Sequence, residues 1–384
     1  MKIGIAGPMS LKLLEYNFEK GANLPIGYDF PLISMLVNAL LRRGHEVVAY
    51  TTSMGIEQPV VYEGKNLTIC ITKRRRRHAG RDLFRLERRG LVELMRKYPV
   101  DIIHAHWSYE FAWAALDTGI PTLVTLHDDA LTILKHCFDS YRFLRLAINY
   151  IVLHRARYLS VVSQYLFNKL SRKNKKKARI IPNFYSELLE ESSTKPVNKS
   201  SFILSVCNGF SRRKNVTAAL KAFSIIRKKR PDIGYHLVGD GMESDGPAYE
   251  YAAKNRLEEG VSFIGSLSYI EIIEKIKKAM VLLHPSREEA CSMVIIEAMA
   301  LGTPVVGGRY SGGVPFQLEK DNAGVLCDID SPEDTARGVL KTLSDSESAQ
   351  SLISRAKKFA EENFAQEAVV QAYIDYYKEI LNKS

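Results

Sequence analysis

Along the chain, short runs of apolar and β-branched residues alternate with longer stretches whose apolar positions recur at helical spacing. "KIGIAG" reads as a buried strand ending in glycine, and "PLISMLVNALLRRG" as a helix that Gly44 is placed to end. "HEVVAYTT", "VDIIHAHW", "IPTLVTLHD" and "ARYLSVVS" are further strand-like runs separated by helical stretches. Strand alternating with helix predicts a parallel sheet covered on both faces. The alternation pauses at "SELLEESSTKPVNKSS", residues 186–201, a polar, serine-rich stretch with one proline that reads as a linker. It then restarts with "SFILSVCN", "GYHLVGDG", "VSFIGSL", "MVLLHPS", "TPVVGG" and "AGVLCD", with helices between them. The tail "AQEAVVQAYIDYYKEILNKS" is an amphipathic helix with no strand after it.

The predicted fold class is therefore α/β, with two Rossmann-like, doubly wound parallel-sheet domains facing a cleft. The boundaries read from this pattern are residues 1–187 for the first domain, 188–201 for the linker and 202–364 for the second domain. Residues 365–384 are a helix expected to cross back to the first domain. Ligands of open α/β sheets bind beyond the carboxyl ends of the strands, so the cleft is the expected site.

With 384 residues, 46% hydrophobic and 25% charged, the composition is that of an ordinary globular protein. No run approaches the roughly 20 apolar residues of a membrane helix, and "MKIGIAGPMS" lacks the pattern of a secretory leader. Five scattered cysteines without a C-x-x-C pair argue for reduced thiols, a cytoplasmic setting and no zinc site. The net charge is +11, concentrated in "KRRRRHAGRDLFRLERRG", residues 73–90, with nine Lys or Arg against two acids. That stretch reads either as a solvated loop and helix or as a surface for an anionic membrane or a phosphate-rich partner. No recognition helix, finger or stacking platform accompanies it, so nucleic acid is not an expected partner.

Candidate chemistry gathers at the predicted strand ends. A helix opening near Met293 would aim its first backbone N–H groups into the cleft and form an anion site. Glu289 would precede that helix and Glu297 would lie one turn into it; both suit hydroxyl-rich ligands, although spacing alone favours a solvated loop residue and an ion-pair partner. "NGFSRRKN" puts Arg212, Arg213 and Lys214 after the first strand of the second domain, where fixed cations suit a diphosphate or merely face solvent. His104 and His106 share one strand face, which fits a structural pair better than a metal pair. Asp328 and Asp330 lead into "SPED", a helix cap with Ser331 as the capping residue rather than a metal site. Neither G-x-G-x-x-G nor G-x-x-x-x-G-K-[ST] occurs.

Together these segments resemble the retaining glycosyltransferases of family 4, which have the two-domain GT-B fold, and the resemblance runs nearly end to end. Its most specific part is "PSREEACSMVIIEAMALGTPVV", similar to the family's E-x7-E segment and its "EAMA-x-G-x-PVV" continuation. The resemblance implies that Glu289 contacts the donor sugar and Glu297 the nucleotide ribose, while the amides of Met293 and Val294 hold the diphosphate. It further implies that Lys214, with Arg213, neutralises that diphosphate, and that His127 in "TLHDD" lies beside the transferred sugar. Gly27 of the N-terminal loop and Gly239 of "HLVGDG" join the donor site by the same match. Three departures stand out: Tyr28 follows Gly27 where the family carries a second glycine, Gly209 occupies an arginine position, and Phe316 replaces a glutamate. Ala290-Cys291-Ser292 also replace a Gly-Phe-Gly. The implied reaction moves a sugar from a UDP- or GDP-type nucleotide-diphosphate sugar to a hydroxyl of a glycan or lipid-linked acceptor in polysaccharide biosynthesis, with neither cofactor nor metal. The basic stretch would attach the chain peripherally to the cytoplasmic membrane face. The alternatives are a non-catalytic nucleotide-sugar binder and another enzyme on the same scaffold.

Overall fold

A computed structural model describes the chain except residues 19–22, 29, 188, 190–197, 345 and 384. It divides into two compact units, Met1–Pro182 with Val369–Ser384, and Asn183–Ala368. Most of the polar 188–201 stretch read as a linker lies outside the described residues, and the division falls upstream of it, at Pro182/Asn183.

The first unit is built on eight strands, β1 (Lys2–Ala6), β2 (Glu46–Ser53), β3 (Val60–Glu63), β4 (Leu67–Lys73), β5 (Ile102–His106), β6 (Thr122–Leu126), β7 (Tyr158–Val161) and β8 (Ala178–Ile180). Their order across the sheet is β3-β4-β2-β1-β5-β6-β7-β8, and every pair is parallel except β3–β4. The alternation of strand and helix predicted this sheet, but not the β3–β4 hairpin or the short β8. The hairpin did leave a signal: two β-branched runs flank "EGKN", and the Gly64 N–H closes the turn on the Leu67 carbonyl at 2.8 Å. Central strands such as β1 and β6 are buried almost completely, as a sheet covered on both faces requires. The C-terminal helix Gln366–Asn382 supplies Tyr373, Tyr376 and Tyr377 to this unit; the Tyr377 hydroxyl lies 2.6 Å from His104 Nδ1, and Tyr376 donates to the Leu159 carbonyl at 3.3 Å.

The second unit has six parallel strands, β9 (Phe202–Val206), β10 (Gly234–Val238), β11 (Val261–Gly265), β12 (Val281–His284), β13 (Val305–Gly308) and β14 (Val325–Cys327), ordered β11-β10-β9-β12-β13-β14. Ile203, Leu237, Leu283 and Val306 form its core with at most 1% exposure, each such side chain adding about 1.5–3 kcal/mol of burial. The chain runs outward from β9 through β10 to β11, crosses back to β12, and runs outward the other way. The loops leaving β9 and β12 therefore diverge, and the gap between them is the place where ligands enter such sheets.

Gly239, at the end of β10, is fixed by packing. Its φ is +123°, and a Cβ there would sit 2.1 Å from the Cys207 carbonyl oxygen at the end of β9. Gly239→Ala is expected to lower the unfolding free energy by roughly 3 kcal/mol or more, since it adds strain and a backbone clash together. A denaturant melt checks this, and an unchanged midpoint would contradict the assignment.

Candidate functional site

The two diverging loops of the second unit are stitched together through backbone carbonyls that accept from the other loop. The Arg287 N–H donates to the Arg213 carbonyl at 2.8 Å, Arg287 Nη1 to the Arg212 carbonyl at 2.5 Å, and Arg213 Nη1 to the Glu288 carbonyl at 3.1 Å. Asn215, buried in a left-handed turn before the helix Val216–Lys229, donates to the Ile329 carbonyl at 2.9 Å and anchors the loop from beneath. In the gap, Lys214 Nζ donates to Glu289 Oε1 at 2.6 Å, with Arg213 Nη1 and His284 Nε2 each 3.7 Å from the same oxygen. Burial pushes the Glu289 carboxyl up, but Lys214, His284 and Arg213 outweigh it and hold the group at about 2. Burial, opposed by Glu289, pulls His284 down to about 4. Near neutral pH the cluster is thus one carboxylate, two fixed cations and a neutral imidazole.

Glu289 is held from its other side by the loop after β13. Its residue bridges Gly312, and the Gly313 N–H donates to the Glu289 carbonyl at 2.7 Å. The helix Met293–Ala300 begins four residues later, as predicted. Its preceding residue, Ser292, makes no side-chain cap; instead Gln317 grips both backbone groups of Ser292, accepting from its N–H at 2.8 Å and donating to its carbonyl at 2.9 Å. The first-turn amides of Met293 and Val294 keep the unsatisfied donors common to every helix start. Glu297 follows in the next turn at 3% exposure. Burial raises its carboxyl to about 7, with the Tyr269 hydroxyl opposing the shift.

Of the sequence candidates, Arg213, Lys214 and Glu289 meet in one cluster, and Met293, Val294 and Glu297 share one helix. Arg212 is exposed, and Gly209 sits in open space at φ +89°. Asp330 accepts from Arg287 Nε at 2.6 Å, Asp328 accepts from the Asp330 N–H at 3.0 Å, and Ser331 Oγ caps the helix Pro332–Ser344 by accepting from the Asp334 N–H at 3.1 Å. His284, Asn215, Tyr269 and Gln317 went unnoticed in the sequence. Only His284, polar at the end of an otherwise apolar strand, left a visible signal.

His127 and Gly27 lie in the first unit. His127 Nε2 is 2.9 Å from His106 Nδ1, and its ring packs against Trp107 with centroids 4.4 Å apart. Phe30 closes over both rings, at 4.7 Å from Trp107 and 6.2 Å from His127. His104 uses both nitrogens, on the Tyr377 and Thr125 hydroxyls at 2.6 Å each, so it is structural as the spacing suggested. Burial holds His104 and His106 well below the usual histidine range, hence neutral. Gly27 has no room for a side chain, because a Cβ would stand 2.7 Å from the Met9 carbonyl oxygen. Tyr28, in place of a second glycine, turns its ring beneath the Arg74 guanidinium at 4.2 Å.

Two family models match the chain: "Glycosyltransferase Family 4" over residues 32–186 and "Glycosyl transferases group 1" over residues 189–359. The chain belongs to the family 4 glycosyltransferases. A relative, the N-acetyl-alpha-D-glucosaminyl L-malate synthase of Bacillus anthracis, is 25% identical over 306 residues, covering 76% of this chain and 78% of its own. Sucrose-phosphate synthase from Thermosynechococcus elongatus superposes with a TM-score of 0.77 at 20% identity, covering all of both chains. Anabaena HepE in complex with UDP and glucose gives 0.70 at 17% identity over 99% of this chain and 100% of that one. These glycosyltransferases share the GT-B fold with this chain.

Glu297 yields a pH-dependent prediction. Because its folded carboxyl titrates near 7 rather than 4.5, the folded state holds a proton that the unfolded state loses first. Stability contributed this way is present below about 4.5 and is lost as pH rises through 7. Glu297→Gln, neutral throughout, is expected to gain roughly 1–3 kcal/mol over the native chain at pH 8 and little at pH 4.5. Melts at both pH values check it, and an equal effect at each would refute the assignment.

Proposed function

We propose that this glycosyltransferase transfers a sugar from a nucleotide-diphosphate sugar to a hydroxyl of a glycan or lipid-linked glycan acceptor, with retention of anomeric configuration. The observation that carries the reading is the Lys214–Glu289–Arg213 cluster, set at the point where the strand order of the second sheet reverses. Breaking a glycosidic bond to a diphosphate builds positive charge on the sugar and negative charge on the leaving group. Lys214 has two further donors besides the one on Glu289, and these with Arg213 and the amides of Met293 and Val294 supply the electrostatic stabilisation a departing diphosphate needs. Glu289, kept ionised, accepts from sugar hydroxyls. Glu297 accepts from the ribose, and His127 lies beside the transferred sugar, oriented by His106. No side chain is assigned as general base: the leaving phosphate takes the acceptor proton. UDP as the donor nucleotide is supported by the UDP and glucose of the Anabaena complex. No metal or cofactor is assigned a role, and the reaction is placed in the cytoplasm. Among the described residues no helix is long and apolar enough to cross a membrane.

A thermal-shift screen of UDP, GDP, ADP and CMP tests the donor side. One diphosphate is expected to stabilise the native chain, and Lys214→Ala to weaken its binding by roughly 10-fold or more through loss of one charge-assisted contact. No response to any nucleotide would overturn the reading. A second consequence concerns Glu297: ribose hydroxyls favour its ionised form, so nucleotide binding near pH 6 is expected to release close to one proton. Calorimetry in buffers of different ionisation enthalpy reads this directly, and Glu297→Gln should abolish it.

A further inference from the structure

Between the end of β4 and the start of the helix Ser140–Arg155, the first unit contains a hollow of about 560 Å³. One side of it is the loop 74–84, which carries five arginines against the single acid Asp82. The acids of this neighbourhood are already used. Arg75 forks onto both Asp82 and Glu87, with contacts of 2.7–3.0 Å. Arg74 lies over Tyr28 and 3.8 Å from Glu110. That leaves Arg76, Arg77 and Arg81 exposed, with no carboxylate within ion-pair distance among the described residues.

The loop that presents them is tied down by packing and hydrogen bonds. His78, Leu83 and Phe84 adopt left-handed φ values of 63°, 55° and 60°, which side chains disfavour and which persist only where the surroundings enforce them. Here the enforcement is visible. Phe84 is 2% exposed, its N–H donates to the Ala79 carbonyl at 2.9 Å, and Arg88 Nε donates to the Leu83 carbonyl at 3.0 Å. The Tyr141 ring lies so close over Gly80 that a Cβ there would meet it at 3.2 Å. A basic stretch used only for solvation has no need of a fixed shape. A chain of contacts also leads from the hollow toward His127: Arg74 to Glu110, Arg145 stacked 3.5 Å over Tyr109, and the Tyr109 hydroxyl to Asp128 at 2.7 Å.

We propose that this hollow is a phosphoryl-binding site, taking the phosphate or diphosphate of the acceptor. The word acceptor rests on the transfer reaction proposed above; the binding of a phosphoryl group does not. Three guanidinium forks without an ion pair of their own, carried by one loop, match a multiply charged tetrahedral anion, whereas a single carboxylate would satisfy only one of them. The half-exposed Tyr28, Met54 and Tyr141 at the rim offer apolar surface to whatever the phosphate carries.

The test is calorimetric titration of the full chain with inorganic pyrophosphate at fixed ionic strength. The background is Arg213→Ser/Lys214→Ala, so that the second unit does not compete. Saturable binding is expected, weakened roughly 10- to 100-fold by adding Arg76→Ser/Arg77→Ser/Arg81→Ser. The corresponding triple Arg→Lys variant, which keeps the charge and loses the forks, should fall between the two. A melting curve for each variant confirms that it is folded. Pyrophosphate binding unchanged by the serine substitutions would overturn the proposal. Competition by glucose 1-phosphate or by phosphatidylcholine vesicles doped with phosphatidic acid then separates a soluble acceptor from a lipid-linked one. Vesicle binding that pyrophosphate does not displace would mean a membrane-facing patch and would also overturn it. Because pyrophosphate is titrated with the donor cluster removed, a failed nucleotide screen and a failed phosphoryl site give different results.

Discussion

An ionised carboxylate buried beside two cations is the constraint on which the second unit's site depends. Glu289 and Lys214 are 75 residues apart in sequence, and their side chains are 16% and 14% exposed. Removing one partner from so sheltered a pair leaves an uncompensated charge, a loss of roughly 3–5 kcal/mol in buried cases. The pair therefore ties the loop after β9 to the loop after β12 as firmly as the backbone bonds around it. The cluster proposed to hold a diphosphate and the contacts that shape the local fold are the same set of interactions.

The two carboxylates of this site have opposite characters for a physical reason. Glu289 has cations around it and titrates near 2; Glu297 has apolar helix neighbours and one phenol and titrates near 7. One is a permanent acceptor, while the other is an acceptor only when a ligand provides donors. Two residues eight positions apart in the same stretch are thereby separated in protonation by their surroundings alone.

The fold was legible where the sequence repeats a simple alternation, and it became illegible where geometry departs from it. β1, β2, β5, β6, β7 and the strands of the second sheet show their apolar runs plainly. The β3–β4 hairpin was hidden because it interrupts a parallel pattern with a local reversal. Arg213, Lys214, Glu289 and Glu297 could be picked out from charge near strand and helix ends. Their supports could not: Gln317 acts through backbone groups of Ser292 twenty-five residues earlier, and Asn215 through the Ile329 carbonyl. Such contacts exist only after folding and leave no period or spacing behind. Gly239 shows the reverse case, a residue suggested by resemblance as a ligand contact whose geometry also gives it a packing reason.

The histidine pair of the first unit has a partner from far away in the chain. His104 meets the Tyr377 hydroxyl across 273 residues, and Tyr373 packs against the same ring at 4.7 Å. During synthesis, residues up to Pro182 leave the ribosome early, yet the sheet that holds His104 and His106 lacks one wall until the helix Gln366–Asn382 emerges. The second unit, continuous from Asn183 to Ala368, has all its strands before then. Domains usually mature in the order they are made; here the unit made first is completed only by a helix made after the strands of the second, so the second sheet is whole while the first still lacks a wall.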